Sequence, residues 1–275
     1  MTRLLTALVL LALVLSGVFL LPSRWFLLLA VMLTELAALE VVRLGRSWAP
    51  GAPLRLLLVT VPLAVLVLAA GLSGAATGLP PGWLALALAT ALGVGMGVAL
   101  LAGRTPVRES LPALGLLAFG TVYLAVPVTA VWSLQRSDPW LVFLLLAIVA
   151  VNDSAAFYVG RRFGRRKLSP HVSPNKSWEG SAAGVAGAVA ATAVWSRLVL
   201  ETWEPRLVLL GVLVAVAGQC GDLVESMLKR GAGVKDSGTL LPGHGGVLDR
   251  VDAFLFAAPV LLLGLHGFGL GRLLE

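Results

Sequence analysis

Residues 140–158 read WLVFLLLAIVAVNDSAAFY, an uncharged apolar run from Trp140 to Val151 that meets Asn152-Asp153 only near its far end. A bilayer core is crossed by about 20 mostly apolar residues in a helix. An isolated carboxylate is costly at that depth unless it is paired or bound to a cation. The stretch therefore predicts a membrane span with a working acid at one end. Its surroundings agree, since 58% of the 275 residues are hydrophobic and 13% are charged, against about a quarter charged in soluble domains.

Nine apolar segments of this kind are legible, punctuated by Gly, Pro and charged clusters. Their cores are Leu4–Leu21, Trp25–Val42, Leu54–Leu72, Trp83–Leu101, Leu111–Trp132, Trp140–Tyr158, Ala182–Leu200, Leu207–Gly221 and Val251–Leu265. The expected fold is all-α: a polytopic membrane protein of about nine helices forming one transmembrane domain over 1–275. The first run is read as a retained span, because no small-x-small cleavage site follows it. Tryptophans at several segment ends suit the membrane interface.

Numbering the connections alternately puts most of the 21 Lys and Arg residues on one side, including the run Arg161–Lys167. Basic loops stay cytoplasmic. The N-terminus is thus expected inside, the C-terminus outside, and the two long loops, about 159–181 and 222–250, on the cytoplasmic face. The net charge of +7 is explained by this bias and by anionic lipid, so nucleic acid is not called for. The single cysteine, Cys220, excludes an intramolecular disulfide and a Cys-based zinc site.

The chemistry concentrates in Gly218–Phe254, GQCGDLVESMLKRGAGVKDSGTLLPGHGGVLDRVDAF. Asp222 and Glu225 share a helical face if the eighth helix continues through them, with Lys229 one turn further. Asp249 and Asp252 repeat the spacing at the start of the ninth helix. Oxygen ligands of this type suit magnesium, which keeps waters and binds substrate phosphates. Glycines around His244, among them Gly245 and Gly246, let backbone N–H groups approach phosphate. Lysines and arginines supply countercharge.

Here the sequence resembles a known family. Ser226-Met-Leu-Lys229-Arg230, Lys235-Asp236, Leu241-Pro242-Gly243-His244-Gly245-Gly246 and Asp249-Arg250-Val251-Asp252 look like the phosphatidate cytidylyltransferase signature. A second block is similar to another segment of that family: Asn152-Asp153-Ser154 through Gly160-Arg161, then Lys167-Leu168-Ser169-Pro170 and Ser173-Pro174-Asn175-Lys176-Ser177-Trp178-Glu179-Gly180. Ser154, Ser177 and Phe157 depart from the family's Thr, Thr and Tyr. The resemblance is densest over about 150–256, the expected catalytic, cytoplasm-facing part.

The resemblance implies an enzyme of the cell (plasma or inner) membrane that joins CTP to phosphatidic acid, giving CDP-diacylglycerol and pyrophosphate for phospholipid synthesis. It implies Mg2+, leaves room for a second cation, and suggests a homodimer. Asp222 and Asp249 are the foremost metal ligands, with Glu225, Asp236, Asp252 and Asp153 behind them. Lys176, Lys229, Arg230, Lys235 and Arg250 would contact phosphates. His244 would donate to phosphate or order its loop. Ser173, Asn175, Lys176, Ser177, Glu179, Gly245 and Gly246 would line the substrate.

Alternatives stay open. The lipid could be another lipid phosphate, as in CDP-archaeol synthesis, or the chemistry a CTP-dependent lipid kinase. An ion-coupled transporter is a different class, but its charges would sit near the midplane. Glu35 and Glu40, in the second span, are read as structural. Gly93-x-x-x-Gly97 and Gly180-x-x-x-Gly184 permit close helix packing.

Overall fold

The computed structural model describes residues 12–72, 81–240 and 245–273, without side chains for 81–87. Among the described residues helix falls within each expected span, the first of which lies outside them over 4–11: residues 12–20 (α1), Ser23–Gly45 (α2), Leu57–Leu72 (α3), Pro81–Ala102 (α4), Val107–Ser137 (α5), Pro139–Phe163 (α6), Trp178–Val199 (α7), Pro205–Gly231 (α8) and Leu248–Gly267 (α9). Six stretches among the described residues are long and apolar enough to cross a membrane: α2, Leu54–Leu72, α5, α6, α7 and α8. The fold is thus a helical, multi-span one. α9 opens on Asp249, Arg250 and Asp252, which shortens its apolar length.

Two features depart from the sequence reading. The expected loop at 159–181 contains a two-stranded antiparallel hairpin, β1 (Lys167–Ser169) and β2 (Ser173–Ser177), with Lys167 opposite Ser177 and Ser169 opposite Ser173. The strand sequences, Lys-Leu-Ser and Ser-Pro-Asn-Lys-Ser, carry too little apolar periodicity to announce strands. The eighth helix also runs on to Gly231, well into the expected 222–250 loop. Asp222, Glu225, Ser226 and Lys229 are therefore helical, as the face argument requires.

The chain forms two compact units. One comprises residues 1–26, 130–227 and 251–275; the other comprises 27–129 and 228–250. The core of the first lies on α6 and α7. Asp138 caps α6 by accepting the Trp140 N–H at 2.9 Å, with Pro139 at the first helical position. Leu141, Leu144, Leu145 and Ile148 are fully buried.

α6 and α7 approach through small residues. A Cβ at Gly180 would stand 2.7 Å from the Ala156 carbonyl and 3.0 Å from the Gly160 Cα. One at Gly184 would stand 2.6 Å from Asn152 Oδ1 and 2.9 Å from the Asn152 carbonyl. The Gly180/Gly184 pair therefore does pack helices closely. Gln135 Nε2 donates to the Val18 and Leu21 carbonyls at 3.2 and 3.0 Å, satisfying acceptors at the end of α1.

In the second unit Leu54, Leu57, Val61, Val65, Leu117 and Leu124 are buried. Gly120 admits Leu57, whose Cδ2 would lie 3.0 Å from an added Cβ. Thr60 and Thr121 pair hydroxyls at 2.8 Å. Glu109, buried, accepts the Gly51 N–H at 2.8 Å, so the turn before Leu54–Leu56 is held by a charge-assisted bond.

Candidate active site

In the first unit the site is built on the hairpin and the helices that flank it. Ser177 ends β2 and caps α7, its Oγ accepting the Gly180 N–H at 3.1 Å. Glu179, in the first turn, accepts the backbone N–H of Arg165 at 3.1 Å and of Arg166 at 3.2 Å. Gly164 closes α6 where an added Cβ would lie 2.9 Å from the Ser177 Cβ. Ser177 and Glu179, both expected to line the substrate, also hold the loop's own shape. What they shape is the position of Lys176.

Lys176 Nζ forms an ion pair with Asp222 Oδ2. The other oxygen, Asp222 Oδ1, accepts from Ser226 Oγ at 3.3 Å, one helical turn on. Asp153 lies within electrostatic reach of both Asp222 and Lys176, and its Oδ1 accepts from Asn152 Nδ2 at 3.0 Å. Asn152 is itself oriented: its Oδ1 accepts from Gln219 Nε2 at 2.8 Å, and Gln219 also bonds the Ser181 carbonyl and hydroxyl. The buried Asn152 amide and the half-buried Gln219 and Ser181 groups saturate one another in this way because an unpaired polar atom is costly there. The result is two acids and one lysine fixed on α6, β2 and α8. Glu225 is fully buried on α8, and Asp252, in the first turns of α9, accepts its neighbour Ala253's N–H at 2.8 Å.

The second unit holds a like pair in a denser setting. Lys229 Nζ lies 2.6 Å from Asp249 Oδ1. Asp249 Oδ2 accepts from the Ser237 N–H at 3.0 Å, the Ser237 hydroxyl at 2.9 Å and the Gly246 N–H at 2.7 Å. Gly245 has φ +78°, a left-handed conformation that suits glycine. The same serine hydroxyl meets Glu40 Oε2 at 2.7 Å, and Glu40 also accepts the Val247 and Leu248 N–H groups, both at 2.9 Å. Arg230 donates to the Val234 carbonyl at 3.2 Å. Arg250, Lys235 and Asp236 are exposed, as is Asn175, while Ser173 is half-buried. His244 lies outside the described residues.

The structure therefore brings Asp153, Lys176 and Asp222 together in one unit and Lys229, Gly246 and Asp249 together in the other. Sequence reasoning missed Ser237, Ser181 and Gln219, and favoured a structural role for Glu40, whose bonds hold the turn before α9. The available signal was polarity within or beside apolar helix. Among the described residues no cluster of three His, Cys, Asp or Glu side chains is arranged around a cation site. Magnesium asks less of a protein: one or two carboxylates, with waters and substrate phosphates completing the shell. Asp153 and Asp222, both oxygen donors and within electrostatic reach of one another, suit that need.

The chain matches the Cytidylyltransferase family over residues 1–268. It is 37% identical to the phosphatidate cytidylyltransferase of Pseudomonas aeruginosa over 272 residues, 98% of each chain. It is 41% identical to that of Bacillus subtilis over 152 residues, 54% of this chain and 56% of the relative. It is 42% identical to that of Brucella suis over 149 residues, 53% and 55% respectively. The matched stretch thus spans about half the length of the Bacillus and Brucella proteins. By its matched length and its full-length likeness to the Pseudomonas protein, the chain belongs to the cytidylyltransferase family.

Proposed function

We propose that this chain transfers CMP from CTP to phosphatidic acid, releasing pyrophosphate and leaving CDP-diacylglycerol in the membrane. The observation that carries the reading is the Lys176–Asp222 pair beside Asp153, within a chain of this family. In the reaction an oxygen of the lipid phosphate bonds to the α-phosphorus of CTP. The bond from that phosphorus to the α,β-bridging oxygen breaks, and pyrophosphate leaves with the electron pair. A phosphomonoester has its second pKa near 6, so the attacking oxygen is ionised at neutral pH and no strong general base is needed. The barrier is the approach of one anion to a polyanion. Positioning and countercharge supply the catalysis.

Lys176 and Lys229, each presented by an aspartate, are the cations we assign to phosphate. Arg230, Lys235 and Arg250 add charge from exposed positions. Asp222 and Asp249 remain the proposed leading metal ligands, with Asp153 beside Asp222, and Glu225, Asp236 and Asp252 in supporting roles. Mg2+, when bound, would neutralise phosphate oxygens and polarise the leaving group. Ser173, Asn175, Ser177, Glu179, Gly245 and Gly246 remain the proposed substrate-lining residues, and Ser177 and Glu179 also order the turn that presents Lys176. The proposed topology has nine spans, the N-terminus inside, the C-terminus outside, and a site open to the cytoplasm of the cell membrane. A homodimer belongs to the proposal as well. Among the described residues a Cβ added at Gly93 or Gly97 would meet nothing within 4 Å, which leaves room for a neighbouring helix.

The test is incubation of purified protein with α-labelled CTP, phosphatidic acid and magnesium. Labelled CDP-diacylglycerol with stoichiometric pyrophosphate is expected. Label entering only an ether-lipid phosphate would move the substrate to the related CTP-dependent class. No pyrophosphate with any lipid phosphate would reject nucleotidyl transfer.

A further inference from the structure

Glu40 is an acid toward the end of an apolar helix, and it is 3% exposed. Such a residue must be paired or functional. Its partners are unusual in where they come from. The Ser237 hydroxyl and the Val247 and Leu248 N–H groups all belong to the segment that leads into Asp249. Two of these donors are orphan N–H groups at the start of α9, where a carboxylate is favoured. The third, Ser237 Oγ, is also within 2.9 Å of Asp249 Oδ2. A hydroxyl has one proton to donate, so Glu40 and Asp249 compete for it and are tied through it.

The glycines fit around this carboxylate. A Cβ on Gly246 would run into the Ser237 hydroxyl and both Glu40 oxygens. Gly246 thus makes room for Glu40, and its own N–H is spent on Asp249.

We propose that Glu40 is a positioning residue. It pins Ser237 and the first turn of α9, and through them holds the Asp249 carboxylate that presents Lys229. Glutamine at this position would be nearly isosteric, yet its NH2 group would face donors instead of accepting from them. The inference rests on the cytidylyltransferase reading for its kinetic part, so the experiment has one arm that needs no turnover.

In the first arm, Lys229 acylation by an amine-reactive ester is followed by mass spectrometry in the full-length protein. Glu40→Gln should react several-fold faster than wild type, with Glu40→Asp between them. Equal rates would overturn the proposal, whatever the enzyme's substrate. In the second arm, kcat and KM for CTP are measured per folded protein. Glu40→Gln should lose about 100-fold in kcat, the scale of a catalytic group displaced by an ångström, with KM for CTP little changed. The Glu40→Gln/Ser237→Ala double variant should be no slower than the slower single, because both act through one path. A loss that only tracks the folded fraction, or strictly multiplicative losses, would overturn positioning. Wild type that turns over no CTP would instead remove the functional reading, while the acylation arm still decides the clamp.

Discussion

Two lysine–aspartate pairs stand in contrast. In Lys176–Asp222 the side chains are 28% and 33% exposed, and the acid also accepts from a serine hydroxyl at 3.3 Å. In Lys229–Asp249 they are 12% and 6% exposed, and the acid takes three more donors from the surrounding turn. The chemistry of the two pairs is the same and their settings are opposite. A half-solvated pair contributes little to stability and exchanges partners easily. A buried pair costs heavily when one member is lost. The first is suited to trading its lysine for a ligand with little rearrangement, and the second to presenting Lys229 and Asp249 in one fixed geometry.

The severest challenge to this contrast is made at Asp249. Asp249→Asn removes a charge from the buried pair with Lys229 and three acceptor bonds' worth of carboxylate character from the turn, and should cost about 3 kcal/mol of stability, together with turnover. Thermal unfolding in detergent is the measurement. Asp222→Asn should cost less than about 1 kcal/mol yet lower kcat by about 100-fold or more. Equal melting losses in the two variants would erase the distinction. Chelation by EDTA should stop turnover and added magnesium restore it; a chelator-resistant rate would take metal ligation away from Asp222 and leave it the lysine alone.

Smaller effects are expected around the first pair. Gly184→Ala pushes a methyl to within 2.6 Å of Asn152 Oδ1 and should cost about 1–3 kcal/mol by overpacking, with activity falling as Asp153 shifts. Ser177→Ala removes the cap of α7 and should cost about 1 kcal/mol, seen as a modest melting shift and a rise in KM.

Much of this is legible in the sequence. Apolar runs of span length locate the helices, because lipid forces the backbone to satisfy itself within each segment. The acids and lysines at Asp153, Lys176, Asp222, Lys229 and Asp249 stand out as costly residues beside apolar helix. Their partners do not. Glu40 and Leu248 are bonded across a separation of 208 residues, and no local pattern encodes such a distance. The hairpin at 167–177 is hidden because its strands are polar and short. The run of α8 to Gly231 is hard to foresee because glycines and charges there resemble a loop.

The hairpin's attachments bear on how the chain can move. Ser177 bonded to Gly180, Glu179 bonded to Arg165 and Arg166, and glycines without clearance at 160, 164 and 180 join α6, the hairpin and α7 into one stiff lever. The backbone at Lys176, its elbow, is then held, while the four-carbon side chain keeps its own rotations. Any movement of that backbone on substrate capture would carry the two helices with it and be felt along their length as a tilt within the bilayer. Membrane thickness and lateral pressure would become determinants of turnover, and reconstitution into lipids of graded chain length would read that mechanical coupling directly.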